Sequence, residues 1–241
     1  MQEIHVEMPE REGPGAKPVL AHVAPFVAWL FVMQMLGDPE GWKYAVRSVI
    51  CLGLFVWLRP WQWYGRLELK NVPLAIGVGL LVFGLWVVGE TPWFEQAFPW
   101  VHDVYVRFGV LPWGRPREEL VYTPYAPEVC GWTLTVIRIA GSALVIGIIE
   151  EFFWRGFLYR WFASRNWLEM DPGKLDKLGF FVVALAFGLE HSEWFVGFLT
   201  GLIYGWMYVK TRDIWSVAIA HALTNAVLGI YVVKTGSYFF W

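Results

Sequence analysis

Charge is scarce in this chain of 241 residues: Asp, Glu, Lys and Arg make up 17% of it and nearly cancel, leaving a formal net charge of -2. The basic residues are scattered, so there is no electrostatic track for nucleic acid and no DNA or RNA partner is expected. Cysteine is scarcer still. Cys51 and Cys130 are the only two, enough for one disulfide but not for a disulfide-built scaffold. Residues 1–18 lack the basic start and small-residue cleavage site of a secretory signal and are expected to form a cytoplasmic tail. No internal repeat or low-complexity segment is visible, which gives no support to the paired halves of many transporters.

Apolar residues, by contrast, are abundant at 57%, aromatics reach 19% with 17 Trp, and the mean hydropathy is +0.44. A soluble domain of ordinary composition is excluded, and a lipid bilayer is the natural solvent. Many tryptophans (Trp42, Trp57, Trp61, Trp63, Trp93, Trp132, Trp215) stand near the ends of apolar runs, where ring bodies favour the headgroup level. A helix needs about 20 residues to cross roughly 30 Å of hydrocarbon. Seven runs approach this length: 19–36, 43–58, 71–89, 132–152, 178–193, 194–209 and 214–233. The expected fold is therefore all-α, a polytopic transmembrane helical bundle of seven or eight spans.

Three parts are expected along it: the tail 1–18, N-terminal transmembrane helices with a long polar connection over 19–131, and a transmembrane core over 132–241. The connection from Glu90 to Gly131 is rich in Pro and Trp, with an interfacial helix expected near 94–108. The fourth run continues to about Ser164 and should protrude from the membrane. The fifth and sixth are short, and the break at His191-Ser192-Glu193 must be a tight loop lined by protein or lie at membrane depth. Lys and Arg favour the side carrying the tail, which puts the N-terminus in the cytoplasm.

Ionisable groups inside apolar runs cost from about 2.5 kcal/mol each, so they mark function by default. Those in this chain are Arg138, Glu150, Glu151, Arg155, Glu190, His191 and His221, joined by the carboxamide of Asn225. The i,i+4 spacing sets Glu151 against Arg155. Glu150 points about 100° away, which leaves it a free carboxylate suited to accept a proton. The bland alternative has both acids binding Arg155 or Arg138 structurally. His221 and Asn225, four apart, share one helix face and offer two donors for an oxyanion if His221 presents an N–H. His191 ends the fifth run, four residues after Phe187, while Glu190 has no evident role.

Three motifs follow in order: Glu150-Glu151-Phe152-Phe153-Trp154-Arg155, then Phe187-Gly188-Leu189-Glu190-His191, then His221-Ala222-Leu223-Thr224-Asn225. Together they resemble the CAAX protease and bacteriocin-processing family of intramembrane peptidases, over roughly residues 132–230. Tyr125 to Trp132 and the motif context look like the bacterial subgroup associated with exosortase systems. One departure is Gly147, where family members often carry Pro a few residues before the glutamates.

The resemblance implies an intramembrane endopeptidase of a bacterial inner membrane, acting on a membrane-associated protein or peptide. Glu150 and His191 would activate a water, and His221 and Asn225 would stabilise the oxyanion. Glu151, Arg155 and Phe187 would support them. No cofactor is required on this scheme. The rival scheme is zinc held by Glu150, His191 and His221. Other rivals are a non-catalytic scaffold, an immunity protein or an ion-coupled transporter using the same buried groups, and a thiol peptidase built on Cys130 with Arg138 or a histidine.

Overall fold

The computed structural model describes residues 13–114 and 123–241, so most of the expected tail and part of the long connection lie outside the described residues. Among those described there is no strand. Among the described residues the main helices in chain order are α1 (Ala16–Leu36), α2 (Gly41–Leu58), α3 (Val72–Val88), α4 (Pro92–Ala97), α5 (Pro99–Val104), α6 (Pro127–Ala163), α7 (Lys177–Leu189), α8 (Trp194–Thr211) and α9 (Ile214–Thr235). The helix ends obey local chemistry. Asp176 accepts from the Gly179 amide at the start of α7, and Asp213 accepts from the Trp215 and Ser216 amides at the start of α9. Gly236 closes α9 at φ 74°, a conformation glycine takes without penalty.

Among the described residues five stretches are long and apolar enough to cross a membrane: Ala16–Leu36, Gly41–Trp63, Leu69–Val88, Pro127–Ala163 and Ile214–Thr235. Their outward faces carry large apolar side chains, among them Phe31, Val49, Trp57, Leu81 and Leu144, as contact with lipid requires. The remaining two of the seven runs form a different element. The run 178–193 is helical only to Leu189, because Glu190, His191, Ser192 and Glu193 turn the chain. At 13 residues, α7 is only about 20 Å long, short of the hydrocarbon thickness. Gly, Tyr, Trp and Lys210 dilute the apolarity of α8.

These two helices pack as a tight hairpin. A Cβ on Gly188 would stand 2.6 Å from the Trp194 carbonyl oxygen, and one on Gly201 would stand 2.8 Å from the Ala184 backbone, so small residues set their approach. The turn between them is lined by protein. The Ser192 carbonyl accepts from the Leu111 amide at 2.7 Å, and the Trp194 indole donates to the Phe108 carbonyl at 2.6 Å. Helical turns over 92–109 thus occupy the region of the expected interfacial helix and seal the break.

Helix α6 spans 37 residues, about 55 Å, with a kink at Gly131 (φ 80°) that sets the first turn apart from the run beginning at residue 132. Its winding widens twice, at Ser142–Ile146 and Phe152–Tyr159, and a single ordinary turn, Gly147–Glu151, lies between. Such widened turns expose carbonyls and cluster at functional sites. Here each is bonded by a distant side chain. Asn225 Nδ2 donates to the Ser142 carbonyl at 2.8 Å, and the Tyr64 hydroxyl to the Gly156 carbonyl at 2.9 Å.

On the other side α3 lies against α9. Thr224 donates to the Gly79 carbonyl at 2.8 Å, and a Cβ on Gly79 would stand 2.7 Å from the Ala220 carbonyl oxygen. Outside the spans, the Arg212 guanidinium bonds Asp171 at 2.8 Å, tying the 164–176 loop to the end of α8 and holding the Asp171 carboxyl below its ordinary range. Both cysteines are free, so the conceivable disulfide is not formed.

Candidate active site

The four residues expected to carry chemistry come together. Glu150 from α6, His191 from the turn after α7, and His221 and Asn225 from α9 line one cavity of about 200 Å³ inside the bundle. Glu150 is 6% exposed and its Oε2 is buried without a hydrogen-bond partner among the described residues. Facing it is His221 Nε2, 3.9 Å from Oε2. That separation exceeds hydrogen-bond reach, so the two do not satisfy each other.

Glu151 is fully buried and engages two partners through one oxygen: Arg155 at 2.9 Å and His221 Nδ1 at 2.8 Å. The i,i+4 pairing with Arg155 is the one expected from spacing. The bond to His221 was not readable, since it joins residues 70 apart. Arg155 also donates to the Gly201 carbonyl at 3.3 Å and lies 4.6 Å over the Phe187 ring, tying α6 to the α7–α8 hairpin. Structural binding of both acids by arginine holds for Glu151 alone. Glu150 forms no ion pair with Arg155 or Arg138 among the described residues.

Hydrogen-bond partners fix the tautomers. His191 Nδ1 bonds the Phe187 carbonyl at 2.8 Å and His221 Nδ1 bonds a carboxylate. Both partners only accept, so in each neutral ring the proton sits on Nδ1 and Nε2 offers a lone pair. This refines the expected oxyanion role of His221, which can donate from Nε2 only after taking up a proton. The Phe187 ring packs against His191 at 4.8 Å and His221 at 5.9 Å, and Trp86 stands edge-on to His191 at 5.4 Å. Glu190 ends α7 beside the site and does not line the cavity.

Gly147, the departure noted in the sequence, is closely packed. Its amide bonds the Ser142 carbonyl, and a Cβ there would meet that oxygen at 3.1 Å, Asn225 Nδ2 at 3.2 Å and His221 Cδ2 at 3.4 Å. A longer side chain has nowhere to go. Gly147→Leu is expected to displace Asn225 and His221 and to lower hydrolysis about 10²-fold, the usual result of an ångström's misplacement; a rate within twofold of wild type would show that neither residue needs this position.

No group of three or more His, Cys, Asp or Glu side chains among the described residues is disposed to hold a metal ion. Glu150, His191 and His221 share the cavity. Among the described residues Cys130 bonds the Gly131 carbonyl and Thr135 and neither Arg138 nor a histidine, so the thiol-peptidase arrangement is not assembled there.

Residues 132–227 match the sequence model of the family described as type II CAAX prenyl endopeptidase Rce1-like. That segment is an Rce1-like domain. No curated protein and no solved structure matches the chain. The Rce1-like segment holds Glu150, Glu151, Arg155, His191, His221 and Asn225, so every motif residue of the cavity falls inside it. With five apolar helices long enough to cross a bilayer among the described residues, the chain is an integral membrane protein, and its segment 132–227 matches a protease family. Other walls of the cavity lie before the Rce1-like segment, on α1 to α3: Trp29, Tyr44, Arg47 and Trp86. Of these, Arg47 is a buried charge in an apolar run, the signal that could have found it.

Proposed function

We propose that the protein is an intramembrane endopeptidase that hydrolyses a membrane-associated protein or peptide with a water activated by Glu150 and His191. The observation that carries this reading is the orphaned, buried Glu150 carboxylate sharing a protein-lined cavity with two histidines whose Nε2 atoms carry lone pairs. A water bonded to Glu150 and His191 Nε2 gives its proton to the carboxylate as its oxygen attacks the scissile carbonyl. The proton passes on to the leaving amine as the tetrahedral species collapses.

The oxyanion is held by the second Asn225 N–H, the first being spent on Ser142, and by His221 once it is protonated. Glu151 supports that imidazolium through Nδ1. Donors of this kind contribute about 2.7–4 kcal/mol each. Residues 132–241 form the catalytic core on this reading. The charge distribution supports a cytoplasmic N-terminus, and the resemblance around residues 125–132 supports a bacterial inner membrane and a link to an exosortase sorting system.

The chemistry on this scheme is metal-free. The test is cleavage of an apolar peptide library by the purified full chain in nanodiscs, before and after chelation. Cleavage should survive chelation and fall about 10²-fold in His191→Ala. Absence of any cleavage by the wild type, or full activity in His191→Ala, would overturn the reading. Loss on chelation with recovery on adding zinc would instead make Glu150, His191 and His221 metal ligands.

A further inference from the structure

Two arginines stand where the catalytic cavity meets an outer cavity of about 450 Å³. Arg47 of α2 and Arg138 of α6 line both, together with Tyr44 and Trp241. Arg47 is only 8% exposed. Its guanidinium lies 4.1 Å over the Trp29 ring and 4.8 Å over Tyr44, with no hydrogen bond or ion pair among the described residues. Arg138 donates to the Tyr44 hydroxyl at 3.2 Å and is stacked 4.3 Å over Tyr44 and 5.1 Å over both Tyr125 and Trp241. The Nε atom of each arginine is buried and has no partner among the described residues.

A buried guanidinium beside a half-buried one, with no counter-ion for either among the described residues, is costly, and such an arrangement persists where function supplies the anion. Lys43, the other cation of the outer cavity, is already paired with Glu40 at 2.7 Å. Glu150 shares the inner cavity, yet no ion pair joins it to either arginine among the described residues. The aromatic faces hold the guanidinium planes, and apart from the Arg138 bond to Tyr44 their N–H edges have no partner among the described residues. A planar fork fits a carboxylate with two parallel hydrogen bonds.

We infer that Arg47 and Arg138 form a subsite for a carboxylate of the peptide substrate, binding it at the mouth of the cavity that contains Glu150. This rests on the peptidase reading for the identity of the ligand, and neither arginine lies among the motif residues. The carboxylate is either the peptide's free C-terminus or an Asp or Glu side chain, since both present the same planar anion. Binding there fixes which bond reaches Glu150, so the pair sets specificity and takes no part in bond breaking.

The test separates binding from hydrolysis by using the full-length Glu150→Gln protein in phosphatidylcholine nanodiscs. The probes are N-acetyl-Leu-Leu-Leu as free acid, the same peptide as amide, and N-acetyl-Leu-Leu-Asp amide, read by tryptophan fluorescence, since Trp29 and Trp241 flank the guanidiniums. One or both carboxylate peptides should bind at least about tenfold more tightly than the leucine amide, and the tighter one names the source. Arg47→Gln or Arg138→Gln should erase the difference while leaving amide binding unchanged. Should the glutamine variants fail to fold, Arg138→Lys keeps the charge, loses the fork, and should still cut the preference severalfold.

Equal binding of acid and amide, no binding at all, or a preference that survives both substitutions would overturn the subsite. So would release of the acid by phosphatidylglycerol nanodiscs in the wild-type background but not in Arg138→Gln, which would assign the arginines to a lipid phosphate. Hydrolysis by the wild type with no acid preference sinks the subsite alone, and an acid preference without hydrolysis sinks the peptidase reading alone.

Discussion

Glu150→Gln is expected to lower peptide hydrolysis by about 10²–10⁴-fold, the range lost when a positioned general base is removed. Glutamine keeps the shape of the side chain and its polar oxygen but cannot take a proton. Among the described residues the Glu150 Oε2 is unpartnered, and His221 Nε2, 3.9 Å away, lies beyond hydrogen-bond reach. The folded protein should therefore be unchanged, and thermal unfolding in the same nanodiscs should show a midpoint within a few degrees of wild type. Equal activity in the glutamine variant would return the site to a scaffold or a proton-coupled role.

Arg155→Met should have the opposite profile, losing about 3–5 kcal/mol of stability, because the change strands a buried carboxylate. Arg155 and Glu151 are 2% and 0% exposed, and the arginine also bonds the Gly201 carbonyl. The double variant Glu151→Leu/Arg155→Met removes both charges, and buried pairs so replaced are often as stable as before. Recovery of stability should come without recovery of activity, since His221 would have no acceptor at Nδ1. Denaturant unfolding of the full chain, followed beside hydrolysis, reads both effects. If the double variant regained activity, the Glu151–His221 bond would have no part in the reaction.

Much of the bundle was legible because lipid leaves few choices: apolar runs of sufficient length must be helices, and their positions follow from composition. The motif residues were legible because charge is expensive there. What the sequence did not disclose depends on distance in the chain or on winding. The weak spans 178–193 and 194–209 separated into a hairpin whose 13-residue first helix is set by the polar turn at Glu190 to Glu193. Nothing local announces the widened turns in α6, because periodicity is blind to a single extra residue per turn. The Glu151–His221 bond and the junction of Arg47 with Arg138 unite residues 70 and 91 apart, beyond the reach of any spacing rule. Gly147 was visible as an oddity, and only the packed neighbours gave it a meaning.

The loosened coils of α6 also act as a phase adjuster. Each adds one residue to a turn, so the face presented beyond it is rotated by about 100° from where an unbroken helix would place it. Which of the two adjacent glutamates meets the cavity and which meets the arginine is thereby decided upstream, at Ser142 to Ile146, by the winding of a backbone whose side chains are mostly plain hydrocarbon.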